Sequence, residues 1–310
     1  MSKIRIKCRD YVLPEGAVMK IIWAYEPFHQ EKSQTSKFYK MLRELHGPQG
    51  EVEACFLVTR TENDLVLAFD VPEKQRFTAL PLEIMKSSLK KAQVPLSESQ
   101  ISVLDHPTFS TSNAVDYFLK TSKKKKADLI ALFTHSRKGF KRLLVGSFAE
   151  TAIHASPISL LIANPKTLFS KTIKRVLFAS DFSEESKKHF VELVQLCSRL
   201  KAELIVVHAA RMIYNPAYDD VTPEVLSYRR QVDQYREWLE SQAAQSKVRI
   251  KIQVFSEFSQ VSDIALKFAQ KTKSDLIAVA AKSGPTTALM GGSTTRQIVR
   301  SSPRPVLVLK

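Results

Sequence analysis

Cysteine is scarce in this chain. Three occur in 310 residues, Cys8, Cys55 and Cys197. The number is odd and no two form a CxxC pair, so neither a disulfide framework nor a zinc site is indicated. Cys55 and Cys197 sit among apolar neighbours and read as small core residues. His106, His135, His154, His189 and His208 are scattered without metal-ligand spacing. No apolar run reaches the ~18 residues a membrane-spanning helix needs. The N-terminus, MSKIRIKCRDYVLPEG, alternates charged and apolar residues. It lacks the unbroken apolar segment of a secretory signal, so a cytoplasmic protein is expected. Paired carboxylates and an activated nucleophile are missing too. His135 and His208 have no adjacent Ser or Cys with a supporting acid, and read as pocket or core polar surface. No enzyme is expected on these grounds.

What is present is ordinary globular material. The length suggests two domains of roughly 150 residues each. An apolar share of 44% and a charged share of 25% allow proper cores without staples. The net charge is +16. Residues 1–165 hold 24 basic and 17 acidic side chains, and residues 166–310 hold 23 and 14, so both halves are basic. That balance favours anionic partners: nucleotides, nucleic acid, acidic proteins or lipid head groups.

The chain repeats itself. Asp128-Leu129-Ile130-Ala131-Leu132 is followed by Gly146-Ser147 and then by Ser156-Pro157-Ile158 and Leu160-Leu161-Ile162. Asp275-Leu276-Ile277-Ala278-Val279 is followed by Gly292-Ser293 and then by Ser302-Pro303 and Val306-Leu307-Val308. The starts match as well. Lys20 to Glu26 (KIIWAYE) parallels Arg175 to Asp181 (RVLFASD), each an apolar run ending in an acid. Each predicts a buried strand leading into a loop.

The segments between follow one plan. Residues 34–46 have helical periodicity through Phe38, Leu42 and Leu45, and 52–58 read as a strand. In the second half, 185–200 carry Phe190, Leu193, Val194 and Cys197 on one helical face, and 203–208 read as a strand. Thr222 fits an N-cap, with Pro223 at the first helical position. Val225, Val232, Tyr235 and Leu239 then form an apolar stripe. Residues 249–255 alternate as a strand, 262–271 are helical, and 275–280 form another buried strand. Trp23 and Trp238 fit core packing on a strand and a helix. Lys123 to Lys126 follow a helix, where its dipole favours cations.

The order implies an α/β fold: two tandem doubly wound domains, each a five-stranded parallel sheet with helices on both faces. The expected boundaries are an N-terminal extension at 1–17, a first domain at 18–165, a linker at 166–172 and a second domain at 173–310. The last strands, 158–163 (ISLLIA) and 305–309 (PVLVL), are short, apolar and exposed at sheet edges unless covered. Pairing them inside one chain hides both edges and makes an intramolecular pseudo-dimer of the halves. Further homodimerisation stays open.

On these residues the sequence resembles the universal stress protein family, whose pattern is a strand and Asp-containing loop, then G-x2-G-x9-G-[ST] after the fourth strand. The resemblance covers residues 18–310 and its arrangement is similar to the tandem members. In nucleotide-binding members, the first acid and the residues after the second strand face the adenine-ribose side, and the glycine loop and Gly-Ser helix start bind phosphates. Glycines there allow close backbone approach, and helix-start N–H groups meet the negative charge.

The first half departs from that pattern. Glu26 replaces Asp, and Phe133 and Ser136 replace the first two glycines. Arg137, Lys138, Lys141 and Arg142 add positive charge to this loop, read as a solvated basic loop or as an anion site using charge in place of glycine. The second half keeps more of the pattern. Asp181 stands at the acid position, and Val207 and His208 end the second strand. Gly292, Ser293 and Thr294 open the last helix, although Ala280 and Ser283 replace the first two glycines and the loop is one residue short. Aligning Gly284 makes it two short. The resemblance therefore implies a site of Asp181, Val207, Ser283, Gly284, Gly292, Ser293 and Thr294 for ATP or AMP. The alternative for Ser293 is a structural N-cap. Two functions follow: a non-catalytic stress-response sensor or adaptor with an adenine nucleotide in the second half, or a nucleotide-free adaptor whose basic surface binds an acidic macromolecule, another polyanion or a different small ligand.

Overall fold

The computed structural model describes residues 19–27, 31–59, 78–106, 108, 110–134, 147–210, 223–256, 260–280 and 292–310. The expected N-terminal extension, Thr222, His135 and the loop holding Ser136 to Arg142 lie outside them.

Along the chain come β1 (Lys20–Ala24), α1 (Lys32–His46), β2 (Glu51–Val58), α2 (Ala79–Lys91), β3 (Ile101–Asp105), α3 (Thr111–Lys124), β4 (Leu129–Phe133), α4 (Ser147–Ala155) and β5 (Ser159–Ala163). The second repeat supplies β6 (Arg175–Ala179), α5 (Glu184–Leu200), β7 (Glu203–Ala210), α6 (Pro223–Gln245), β8 (Ile250–Ser256), α7 (Val261–Lys271), β9 (Leu276–Ala280), α8 (Gly292–Ser301) and β10 (Val306–Leu309). These are two tandem doubly wound α/β domains. None of the helices is long and apolar enough to cross a membrane among the described residues.

Contacts divide the chain into two compact units, one within Gly16–Thr172 and Ala281–Lys310, the other within Ile173–Ala280. In the first, the strands run β3-β2-β1-β4-β5-β10. The five strands of the first repeat are parallel, with Ala24 opposite Cys55 on one side and Leu132 on the other. Strand β10 joins antiparallel to β5, Leu307 opposite Leu161. The expected pairing of the two last strands is therefore present. In the other unit, β9-β6-β7-β8 are all parallel.

Why the strands are so apolar is clear from burial. All five residues of β4 are buried, as are seven of the eight in β2. A parallel strand covered by helices on both faces has no solvent side for polar residues. In the first unit Trp23 is fully buried, edge-on to Tyr25 at 4.9 Å and to Phe38 at 5.7 Å. In the other, Phe190 is buried and meets the half-buried Trp238 edge-on at 5.4 Å. Both tryptophans serve packing, as their sequence context indicated. Residues 164–170 are tied to the turn before β10: the Leu168 N–H donates to Pro303 O at 2.8 Å, and Asn164 Nδ2 donates to Ser302 O at 3.0 Å.

Four helices end alike. After α2, α3, α5 and α7, one residue takes positive φ: Gln93 (57°), Lys126 (57°), Lys201 (54°) and Lys273 (52°). The next N–H closes a loop back to the carbonyl five residues earlier: Val94 to Leu89, Ala127 to Ser122, Ala202 to Cys197 and Ser274 to Ala269. Glycine is the usual residue at this place, because a side chain there costs about 1 kcal/mol. This chain puts three lysines and a glutamine in it.

Candidate functional site

In a doubly wound sheet, the crevice lies past the strand C-termini where the connection order reverses. In the Ile173–Ala280 unit that point falls between β6 and β9, which pair with Ala179 opposite Val279. Asp181 is the second residue beyond β6. Its Oδ1 accepts from the Ser183 N–H at 3.0 Å and from the Ser186 hydroxyl at 2.5 Å. Ser183 in turn caps α5, its hydroxyl accepting from the Ser186 N–H. The carboxylate is thus held at the mouth of the crevice by the helix start it precedes. Val207 is close by in backbone terms: Ser180 N–H donates to Val207 O at 2.9 Å, and the valine side chain is buried.

Behind Asp181 stands an aromatic stack. Phe182, in a left-handed conformation (φ 57°), is buried and lies parallel to His208 at 4.0 Å and to Tyr235 at 4.3 Å. His208 is 4% exposed. Its Nδ1 is 2.9 Å from the Ser180 carbonyl, which can only accept, so Nδ1 carries the proton. Nε2 then accepts from the Tyr228 hydroxyl at 2.8 Å. Burial holds the His208 pKa below its ordinary value, against the Ser180 hydrogen bond and the charge of Asp181. His208 is therefore a neutral, doubly satisfied ring. The Tyr235 hydroxyl is buried, with the Ser180 side chain as its polar neighbour. Burial pushes its phenol up.

Of the expected site residues, Asp181 and Val207 come together here. Ser283 and Gly284 lie outside the described residues. Gly292, Ser293 and Thr294 open α8, in the unit that holds the first repeat. The helix already includes Gly292, so Ser293 is its second residue and not the residue preceding it. Sequence reasoning passed over Phe182, Tyr228 and Tyr235 as parts of this neighbourhood. Only Tyr235 had a signal, as a member of the apolar stripe.

The corresponding point of the first repeat lies between β1 and β4, paired with Ala24 opposite Leu132. Phe133, at the expected glycine position, is buried and meets the Phe38 ring at 5.8 Å. Tyr25, before Glu26, is buried and its hydroxyl is 2.6 Å from Ser88 Oγ. Beside it, Pro27, Glu83, Ile84, Ser87, Ser88 and Lys91 line an open cleft of about 510 Å3. Among the described residues no cluster of three His, Cys, Asp or Glu side chains could hold a metal.

Tandem doubly wound domains with an acid at the switch point define a class of two-domain α/β protein. The profile of the Universal stress protein family matches residues 42–164 and again 172–310. The chain belongs to that family, with two tandem domains. In structure it is similar to a universal stress protein from Archaeoglobus fulgidus DSM 4304, at 16% identity and a TM-score of 0.60, over 94% of this chain and 98% of that one. It is likewise similar to a functionally unknown protein from Pseudomonas aeruginosa PAO1, at 17% identity and a TM-score of 0.59, over 95% and 93% of the two chains. At these identities the likeness concerns the fold. No curated protein matches the chain in sequence.

Proposed function

We propose that this protein is a non-catalytic stress-response sensor or adaptor of the cytoplasm that binds an adenine nucleotide, ATP or AMP, in its second domain. The observation that carries the reading is Asp181, held at the β6–β9 switch point by Ser183 and Ser186. A carboxylate so placed can accept from ribose or adenine donors, with Val207 on β7 level with the end of β6. Binding without turnover suits a neutral His208 whose two nitrogens are already engaged.

Isothermal titration of the full chain with ATP and AMP tests this. Asp181→Asn keeps an oxygen acceptor for Ser183 and removes the charge. Saturable binding that weakens at least tenfold in Asp181→Asn is expected. Flat heats for both nucleotides, or equal affinity in the variant, would remove the reading. A second reading, a nucleotide-free adaptor whose basic surface takes an acidic macromolecule, is favoured by the net charge of +16. A homodimer is compatible with either.

A further inference from the structure

The +16 charge is unevenly placed. Residues 173–280 hold sixteen basic and fourteen acidic side chains, nearly neutral in sum. Yet the strand-start end of this unit, opposite the crevice, is strongly basic. Lys273 precedes β9, Lys174 precedes β6, Lys201 precedes β7, and Lys247 and Arg249 precede β8, with Lys251 just inside it. All six are exposed.

The backbone sets them in a row. Asp275 N–H donates to Arg175 O, Glu203 N–H to Lys174 O, and Leu204 N–H to Arg249 O, which aligns the four strand starts side by side. Neighbouring strands lie about 4.8 Å apart, so the row is about 14 Å long with at least one cation per strand. The two acids at this end are already engaged. Asp275 Oδ2 accepts from the Lys174 and Arg175 N–H groups, and Glu203 pairs with Lys251 at 2.8 Å and Arg249 at 3.4 Å. Lys174, Lys201, Lys247 and Lys273 form no ion pair among the described residues.

Service to helix dipoles does not account for the row. The ends of α5 and α7 carry roughly half a negative charge each, far less than the cations present. Nor does local conformation favour these residues. Lys201 and Lys273 occupy left-handed positions where glycine would be easier, and Lys126 does the same in the first repeat. None of the residues in 171–175, 199–203, 246–250 or 271–275 is aromatic, so these four strand starts offer no platform on which a base could stack.

We infer that this end of the second domain is a contact surface for the phosphate backbone of a nucleic-acid strand, read by charge and without base preference. A linear polyanion fits a linear row of cations. This rests on the charge distribution and not on the crevice, so its failure leaves the nucleotide reading standing.

The test is titration of a fluorescent mixed-sequence single-stranded RNA with the full chain across a salt series. The triple variant Lys174→Gln, Lys201→Gly, Lys273→Gly is compared with a control, Arg229→Gln, Arg230→Gln, Lys267→Gln, of equal charge change elsewhere on the unit. The logarithm of affinity should fall with the logarithm of salt, and the slope should flatten by about 0.7 for each row cation removed. The control should keep the wild-type slope, as should Asp181→Asn. The two glycine changes should also raise Tm by a few degrees, so lost binding could not be ascribed to unfolding. Equal losses in the triple variant and the control would overturn the assignment. So would no salt dependence, or equally tight capture of poly-glutamate.

Discussion

Acidification should loosen the second domain through one ring. His208 is neutral in the fold because burial penalises its charged form. Protonation would put a second N–H on Nε2, facing the Tyr228 hydroxyl that now donates to it. The ring would also become a buried cation against Phe182, favoured by the Ser180 carbonyl and Asp181 but with burial outweighing both. The unfolded chain binds the same proton at the ordinary value near 6.5. The folded pKa is the lower one, so the stabilising effect is complete above about 6.5 and is lost as pH falls through the folded value. In that window the unfolded state holds more protons, and stability should fall by up to about 1.4 kcal/mol for each pH unit. The assay is urea denaturation followed by the near-ultraviolet signal, from pH 8 to pH 5, on the wild type and on His208→Asn. The amide can still donate to Ser180 but does not titrate. The variant will be weaker at every pH by about 1–3 kcal/mol, because the Tyr228 hydroxyl loses its acceptor, so the slope is the reading and not the level. His154 is also held low, by burial and by Arg296 and Lys310, but it acts in both proteins and cancels. Equal slopes below pH 6.5, or an NMR titration placing His208 at or above the ordinary value, would refute the reasoning.

Two further outcomes follow from buried groups. Glu53 is 5% exposed and meets Lys125, Lys20 and the Ser102 hydroxyl, so Glu53→Ala should cost about 1–2 kcal/mol in a denaturant titration through the lost hydrogen bond to Ser102 and the lost ion pairs with half-exposed lysines. Cys55 and Cys197 are buried thiols, pushed up to about 11 and about 12 chiefly by desolvation. Mass spectrometry after treatment with a thiol reagent at pH 8 should find both unmodified in the native protein and both labelled in guanidinium.

The sheet was largely readable because its strands are covered on both faces, which leaves unbroken apolar runs such as Leu129–Phe133 and Leu276–Ala280. Strand β3 was not. Its residues are half-buried at an edge, with Asp105 exposed, and its sequence ISVLD carries no such run. Helix α2 has only Pro81, Met85 and Leu89 buried, a stripe too thin to stand out. At the candidate site, Asp181 was legible from its place just past a strand, whereas Val207 and His208 do not end theirs: β7 runs on to Ala210, and Val207 is level with the end of β6. The stack was not legible, since Phe182 reaches His208 and Tyr235 only through a left-handed turn that sequence pattern does not reveal for a phenylalanine. The lysine row escaped notice for the opposite reason. Each residue alone is an unremarkable cation at a helix end or strand start, and strand order alone sets them abreast.

Strand β10 has a consequence for synthesis. The outer edge of β5, with Leu160, Leu161 and Ile162, is sealed by Val306, Leu307 and Val308, which leave the ribosome nearly 150 residues later. Throughout that interval the nascent chain carries an open apolar ribbon that any passing strand could join. The growing polypeptide would therefore depend on prompt completion, or on a chaperone's cover, to avoid sticking to its neighbours on the same message.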